Sequence, residues 1–261
     1  MSNRNTGLIK TKEELELMRQ SGKIAADILE KVQKKVAPGV TTMELDKLAE
    51  ELIILAKVKS AFKGQPSGKN GEGYPAVLCT SVNGVIVHGV PSDYELKDGD
   101  ILSLDFGVLY KGYYSDLAVT IPVGEISHEA RHLIKTTKKA LRLGIKKVRP
   151  GNTIGDIGNT IQRFVESQGY PVVKDLVGHG IGKELHEEPY IPNYGKRKTG
   201  LILEPGMVIC IEPMVVLGSN ELDHAADTHG YETKDKSLSA HFEHTIAVTE
   251  EGYKVLTHET E

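Results

Sequence analysis

Cysteine is nearly absent from this sequence, since Cys79 and Cys210 are the only two among 261 residues. Two cysteines build neither the disulfide framework of a small secreted domain nor a cysteine-rich zinc site. Long apolar runs are missing too. A membrane-spanning helix needs about 20 apolar residues in a row, and no stretch of this sequence approaches that length. Residues 1–18 mix lysine with glutamate and lack the apolar segment of a signal peptide. These absences predict a protein of the reducing cytoplasm with no membrane contact.

A strong charge of one sign is also missing. The net charge is −4, with 32 basic and 36 acidic residues spread along the chain. Nucleic-acid binders need a basic field to neutralise phosphates, so we expect no binding of nucleic acid. Apolar residues make up 39% of the chain, which is enough for a sizeable core. Composition alone is compatible with one large domain or two small ones.

The chain carries a weak internal repeat. Residues 36–45 and 148–157 both read V-x-P-G-x-T-x-x-acid-apolar. Each Pro-Gly pair ends a helix, and a threonine three residues before an acid is typical of the capping box that begins the next one. The repeat therefore predicts two helix pairs, at about residues 12–36 and 42–57 and at about 129–148 and 154–168.

The repeat continues in strands that each carry one acid. Residues 99–105 resemble residues 206–212, because both are apolar strands that end on a carboxylate, Asp105 or Glu212. A second strand rich in Val, Ile, Tyr and Thr follows each of them, with Asp116 in 113–121 and Glu243 in 240–249. We predict an α+β fold in which helix-helix-strand-strand halves, about 1–124 and 125–261, place their strands in one sheet with helices on one face. The linker near residues 124–127 is short, so we expect one domain over residues 1–261.

Asp105 lies within the apolar segment ILSLDFGVLY. An ionised carboxylate in such a strand is costly unless it is paired or binds a metal. If Lys111 and Gly112 form a two-residue hairpin loop, Asp105 lies opposite Ala118. Asp116 is then its diagonal neighbour on the same face, about 7–8 Å away. One aspartate alone is more simply explained as a turn cap or an arginine partner, but four acids in two repeated strand pairs favour a metal site.

The charges and the histidines refine this site. Four carboxylates balance two divalent cations. Oxygen ligands suit Mg²⁺ or Mn²⁺, whereas an added imidazole favours Mn, Fe, Co or Zn. Three histidines have suitable settings: His179 within GHGIG, His186 within LHEEP, and His88 after an apolar strand. Each of them alone is explained as well by a solvated loop or a simple turn.

In their order along the chain, these residues resemble the ligands of the pita-bread metallopeptidases. The segments VNGVIVHGVP and GHGIGKELHEEP are similar to the type I methionine aminopeptidases in particular, and the similarity runs from about residue 9 to 256. It implies a pita-bread fold with a curved antiparallel sheet. It also implies hydrolytic removal of the initiator methionine from nascent proteins, by water that two metals activate, when the second residue is small. The implied ligands of two divalent cations (Co, Mn, Fe or Zn) are Asp105, Asp116, His179, Glu212 and Glu243, with Asp116 and Glu243 bridging.

The resemblance also implies roles on the substrate side. His88 and His186 would hydrogen-bond the scissile amide and the tetrahedral intermediate, and Glu212 would relay a proton. Cys79 and Tyr74 match positions of the methionine pocket, where a polarizable thiol beside an aromatic ring suits a thioether. A monovalent cation is implied near three further residues, Asn83, Val85 and Ser239.

The sequence departs from the family pattern in the pocket. The family often has a tryptophan after the IEP strand that carries Glu212, but this chain has none and His229 falls near that place. Leu185 stands where a phenylalanine usually precedes the second substrate histidine. Residues 63–72 form an insertion-like stretch rich in Gly, Ser and Lys, which we predict to be a mobile loop at the rim of the site. These changes leave the metal chemistry untouched and alter the shape of the pocket.

Two rival functions remain open. Prolidases and proline aminopeptidases share the fold and the ligands, but usually carry an additional N-terminal domain, and only about 95 residues precede the first metal strand. The second rival function is a non-catalytic module of this fold that binds polypeptides. Such relatives lack the metal ligands. As partners we expect the N-termini of nascent polypeptides, with the protein itself a monomer. For the basic run at residues 196–198, a solvated loop is favoured over a ribosome contact.

Overall fold

The computed structural model describes residues 8–68 and 71–257. In these ranges the helices are α1 (Lys12–Gln33), α2 (Thr42–Ala56), α3 (His128–Ile145) and α4 (Ile154–Ser167). The strands before α3 are β1 (Lys59–Ser60), β2 (Pro66–Ser67), β3 (Glu72–Gly73), β4 (Cys79–Val82), β5 (Val85–Val87), β6 (Ile101–Tyr110) and β7 (Tyr113–Pro122). Those after α4 are β8 (Gly178–Gly180), β9 (Glu187–Ile191), β10 (Val208–Ile211), β11 (Met214–Val216), β12 (Leu222–His224), β13 (Tyr231–Thr233), β14 (Ser239–His241), β15 (Glu243–Thr249) and β16 (Gly252–Val255).

The two predicted helix pairs are present, and their second helices begin at the predicted capping boxes. In α2, the Thr41 side chain accepts a hydrogen bond from the backbone N of Glu44, and the Glu44 carboxylate accepts one from the backbone N of Thr41. Thr153 and Asp156 form the same reciprocal pair at the start of α4. Helix α1 ends at Gln33, three residues before the predicted end, because its last bonds tighten to the i to i−3 pattern ahead of the Pro-Gly turn. No helix of the described ranges is long and apolar enough to cross a membrane.

A nine-stranded sheet forms the centre of the fold. Its order is β1-β6-β7-β15-β10-β8-β9, with β16 paired to β15 and β4 paired to β6. All its strand pairs are antiparallel. The first half contributes β6 and β7, the second contributes β15 and β10, and the halves join where β7 pairs with β15. The predicted α+β class and antiparallel sheet are therefore confirmed.

The hairpin of β6 and β7 has the predicted register. Tyr110 faces Tyr113 and Asp105 faces Ala118. The loop residues Lys111 and Gly112 both have a left-handed backbone, with φ of 49° and 86°, as a tight hairpin of this type requires. The prediction that the first strand ends on its carboxylate is wrong, because β6 continues past Asp105 to the loop.

The strand predicted at residues 240–249 is in fact two strands. Strand β14 pairs with β11 in a separate two-stranded sheet, whereas β15 pairs with β7 and β10 in the central one. Phe242 lies at the break, where the chain passes from one sheet to the other. The side chains on either side of Phe242 nevertheless lie close together, with His241 Nε2 3.9 Å from Glu243 Oε2.

The helices cover one face of the central sheet. Helix α1 packs against β6 and β7, and α3 packs against α4 and contacts β10. One apolar cluster buries α1 and α2 against the first half, with Leu29 and Phe106 at its centre, and a second buries α3 and α4 against the other half, with Leu133 and Ile209. The helix-free face is left for the acidic side chains of the strands.

The stretch predicted as a rim loop has structure of its own. Pro66 pairs with Gly73 and Ser67 with Glu72 in the short hairpin of β2 and β3. Residues 69–70 of that prediction lie outside the described ranges.

We expect Gly158→Ala to destabilise the fold. A Cβ at Gly158, on the buried face of α4, would lie 2.4 Å from the carbonyl oxygens of Pro192 and Tyr194. The resulting shift should lower the free energy of unfolding by about 1–3 kcal/mol, which outweighs the better helix propensity of alanine. Urea unfolding measures this, with exposed Arg163→Ala on the same helix as the control. Equal unfolding midpoints for the two variants would contradict the expectation.

Candidate metal centre

A row of paired residues crosses the helix-free face of the sheet. Cys79 of β4 pairs with Asp105 of β6, which in turn pairs with Ala118 of β7. Ala118 also pairs with Glu243 of β15. Because paired residues share one face of a sheet, the carboxylates of Asp105 and Glu243 point the same way. Asp116 is two residues from Ala118, so it lies on that face as well.

His179 reaches the same row from β8. Gly178 and Gly180 flank it, and a Cβ at either would lie 2.3 or 2.2 Å from a backbone carbonyl of Cys210 or Glu188. The two glycines therefore allow β8 to fit between its neighbours. The Nδ1–H of His179 donates to the carbonyl of Gly180 at 2.9 Å, which turns Nε2 toward the acids.

The donor atoms have the spacing that a shared cation requires. His179 Nε2 lies 3.7 Å from Glu212 Oε1 and 4.0 Å from Glu243 Oε1. Carboxylate oxygens of Asp105, Asp116 and Glu243 all lie within 4.8 Å of one another. Two ligand atoms that bind the same ion, each at about 2.0–2.3 Å from it, lie roughly 3–4.5 Å from one another. These groups can therefore share metal ions.

Several of these buried oxygens have no hydrogen-bond donor. Asp105 Oδ1, Asp116 Oδ1 and Glu243 Oε1 lack any partner among the described residues. A buried acceptor left in this way costs about 1–3 kcal/mol, and more when it is charged. Divalent cations satisfy such oxygens and cancel their charge, so the side chains present fit a metal centre.

The protonation equilibria agree with this fit. Burial, together with the neighbouring carboxylates, raises the pKa of Asp116 and Glu243 well above the ordinary range. Burial likewise raises the pKa of Glu212, and it raises the pKa of Asp105 to about 6. Burial lowers the pKa of His179 to about 3, so its imidazole is neutral at pH 7 with a lone pair for a metal.

A cavity of about 80 Å³ opens over the carboxylate row. All the residues predicted as metal ligands, catalytic groups or pocket residues line it, namely Asp105, Asp116, His179, Glu212, Glu243, His88, His186, Cys79 and Tyr74. Leu185 lines it as well. His186 packs its ring against that of His179 with centroids 4.4 Å apart, and burial lowers its pKa. The structure thus brings the sequence-predicted site residues into one place.

His88 lies at the end of β5 in a left-handed backbone conformation, with φ of 59°. Such a conformation costs a non-glycine residue about 1–3 kcal/mol, so the residues around it must hold it. Gly89 N donates to Ser81 Oγ at 3.1 Å, and Val90 N donates to Asp227 Oδ2 at 2.9 Å. Burial and the charge of His186 lower the pKa of His88 to about 4, so its imidazole is neutral.

The residues implied for a monovalent cation also lie together. Ser239 Oγ donates to the carbonyl oxygens of Asn83 at 2.9 Å and Val85 at 3.0 Å. The carbonyl oxygens of Asn83 and Val85 therefore both lie next to the Ser239 hydroxyl, which places the three implied residues together.

Sequence reasoning missed His241, which is buried beside the carboxylates. Its Nε2 lies 3.5 Å from Glu212 Oε2 and 3.9 Å from Glu243 Oε2, close enough to join the donor set. Neither ring nitrogen has a hydrogen-bond partner in the part of the chain that the structure describes. Its place two residues before Glu243, in SAHFEHT, was the available signal.

Comparison with known proteins gives the family. The sequence pattern of metallopeptidase family M24 matches residues 16–250. The chain is 46% identical to a methionine aminopeptidase of Clostridium perfringens over 96% of this chain and 98% of that protein. A solved methionine aminopeptidase from Thermotoga maritima matches with a TM-score of 0.92 and 44% identity, over 96% of this chain and 99% of the other. The predicted pita-bread fold is thereby confirmed.

A solved prolidase from Pyrococcus furiosus has the same fold with less similarity. It matches with a TM-score of 0.77 and 25% identity, over 97% of this chain and 66% of the prolidase chain. The similarity therefore favours the methionine aminopeptidases over the prolidases.

We expect Asp116→Asn to lose metal and His88→Ala to retain it. Asp116 contributes charge to the carboxylate row, whereas His88 contributes none. Metal analysis after dialysis should find up to two divalent ions per chain in the wild type and His88→Ala, and fewer than one in Asp116→Asn. Added Mn²⁺ should raise the melting temperature of the first two proteins only, because binding to the folded state stabilises it. The reverse pattern would contradict these assignments.

Proposed function

The chain belongs to metallopeptidase family M24, and on that basis we propose that the site described above removes the N-terminal methionine of nascent polypeptides. Its activity is that of a methionyl aminopeptidase, a metal-dependent hydrolase. The observation that carries this conclusion is the 46% identity, over nearly the full length of both chains, to a methionine aminopeptidase. The X-Pro peptidases remain the less similar alternative, at 25% identity for the prolidase.

Family membership implies the use of divalent metal. We propose that Asp105, Asp116, His179, Glu212 and Glu243 would hold two ions, and that Asp116 and Glu243 would contribute to both. The support is the charge balance of four carboxylates and the spacing of the donor atoms. When bound, such ions supply Lewis-acid polarisation of a carbonyl and activation of water at neutral pH. The mixed imidazole and carboxylate set favours Mn, Fe, Co or Zn.

The two substrate-side histidines have a different role. His88 and His186 line the cavity and contribute no negative charge, so they suit hydrogen bonding to the scissile amide and to the oxyanion of the tetrahedral intermediate. Glu212 accepts the proton of the attacking water and passes it to the leaving amine. The position of Glu212 supports this role, because it directly follows β10 and lines the same cavity as the other carboxylates.

Cys79 and Tyr74 form the inner wall of the proposed methionine pocket. Burial raises the pKa of the Cys79 thiol well above its ordinary value, so the sulfur is a neutral, polarizable wall and not a nucleophile. The Tyr74 hydroxyl donates to the carbonyls of Leu78 at 3.2 Å and Gly89 at 2.9 Å. With its hydroxyl engaged in this way, the ring is held against the cavity. A thioether fits such an apolar, sulfur-lined surface.

The remaining features complete the proposal. We propose one catalytic domain over residues 1–261, supported by the strand pairing that joins the halves, and a monomer acting in the cytoplasm. A monovalent cation near Asn83, Val85 and Ser239 is supported by the two carbonyls that lie next to the Ser239 hydroxyl. The basic run at 196–198 is exposed, and Arg197 Nε lies 3.8 Å from Asp156 Oδ1. We favour a solvated loop over a ribosome contact for this run.

We expect the protein to release methionine from peptides that begin Met-Ala, Met-Gly or Met-Ser, and not from Met-Lys, Met-Leu or Met-Phe. This specificity is the one that the similarity to methionine aminopeptidases implies, and Cys79 and Tyr74 in the cavity wall are the pocket residues that support it. Product analysis of a tripeptide panel measures this, with Ala-Pro peptides as the test of the prolidase alternative. Preferential release of N-terminal leucine or alanine would overturn the proposed function.

We expect His88→Ala to lower kcat by roughly 10²–10³, because it removes a hydrogen-bond donor to the reacting amide. Metal content should stay normal, so the loss is separated from a loss of cofactor. His128→Ala, which removes an exposed imidazole at the start of α3, is the matched control and should keep full activity. A wild-type kcat in His88→Ala would exclude the proposed role.

A further inference from the structure

The hairpin of β2 and β3 forms part of the cavity wall. Gln65, Pro66 and Ser67 line the cavity together with the metal centre. The base of the hairpin is joined to the pocket residue Tyr74, whose backbone N donates to the carbonyl of Gln65 at 2.8 Å. The stretch predicted as a rim loop therefore contributes directly to the surface that a substrate side chain meets.

A hairpin of two-residue strands is too short to hold its own position. A second anchor lies farther along it, where Ser67 Oγ is hydrogen-bonded to His229 Nδ1 at 2.6 Å. Gly68 follows in a left-handed conformation, and a Cβ there would lie 3.1 Å from both His229 Nδ1 and the Thr228 carbonyl. The described part of the hairpin is thus packed closely on the turn that carries His229.

His229 is itself fixed in place. Only 8% of it is exposed, and its ring meets the ring of Tyr74 edge-on, with centroids 5.7 Å apart. The Asp227 carboxylate accepts hydrogen bonds from the backbone N of His229 at 3.0 Å and of Gly230 at 2.7 Å. The same carboxylate accepts from Val90 N, two residues after His88. The anchor of the hairpin is therefore rigidly connected to the catalytic side of the cavity.

We propose that the hydrogen-bonded pair Ser67–His229 is a specificity-determining element. By fixing the hairpin, it sets the width of the pocket between the apolar groups Phe62, Pro66 and Leu185, so that an unbranched side chain enters and a γ-branched or aromatic one does not. This inference rests on the proposed function, because it concerns the side chain of the residue that is released. Its physical basis is that a fixed wall excludes by steric overlap, whereas a released wall yields at little cost.

The test compares Ser67→Ala and His229→Ala with the wild type on Met-Ala-Ser, Leu-Ala-Ser and Phe-Ala-Ser. We expect each variant to lower the kcat/KM preference for Met over Leu and Phe by about threefold to tenfold, mainly through KM, as loss of one partly buried hydrogen bond implies. The double variant should lose no more than His229→Ala alone, because that variant already lacks the shared bond as well as the ring that contacts Tyr74. Metal content should be unchanged.

Two controls give the result a single interpretation. Ser67→Thr keeps the hydroxyl and should keep the wild-type preference. Glu72→Ala changes an exposed side chain on the same hairpin and should have no effect. Calorimetric binding of L-methionine, L-leucine and L-phenylalanine gives the same ratios without turnover.

The outcomes for the two proposals are distinct. A wild type that does not release methionine overturns the proposed function, and the binding ratios still decide the role of the pair. Variants that keep the wild-type ratios of kcat/KM and of binding overturn the present inference, while leaving the aminopeptidase activity established. Additive losses in the double variant would likewise exclude a shared bond as the cause.

Discussion

Four carboxylates held out of water on one face of a sheet are the constraint on which the structure depends. Burial raises the pKa of all four groups, and repulsion between the carboxylates adds to this for Asp116, Glu212 and Glu243. The ionised form of such a carboxylate cluster is stable only when positive charge lies nearby. The chain places neutral imidazoles there, not lysine or arginine. The acidic row is therefore a built site for cations and not a stabilising feature of the metal-free fold.

The row also joins the two halves of the molecule. Asp116 comes from the first half and Glu243 from the second, and they meet where β7 pairs with β15. Thr245 Oγ1 accepts from Asp116 N at 3.0 Å and donates to its carbonyl at 2.7 Å, across the same boundary. Because the proposed ligands come from both halves, we expect metal binding and the packing of the halves to stabilise each other.

The metal side and the substrate side of the cavity are built differently. The acids lie on or next to strands of the central sheet, whose ladders fix their positions. The substrate side is made of turns and a short hairpin, with His88 in a left-handed conformation and His229 held by Asp227. The residues proposed to bind metal therefore lie on or next to strands of the sheet, whereas those proposed to select the substrate side chain lie on loops that side-chain hydrogen bonds hold in place.

The sequence by itself determined the features that depend on local chemistry. Capping boxes begin at Thr41 and Thr153, and a two-residue hairpin loop fixes Asp105 opposite Ala118, because helix caps and hairpin registers need only neighbouring residues. The tertiary structure alone decided which distant groups meet. His241 belongs to β14, which pairs with β11 outside the central sheet, yet its Nε2 lies 3.5 Å from Glu212 Oε2. Ser67 meets His229 across 162 residues of sequence, and no local pattern encodes a contact that only the packing of two turns creates.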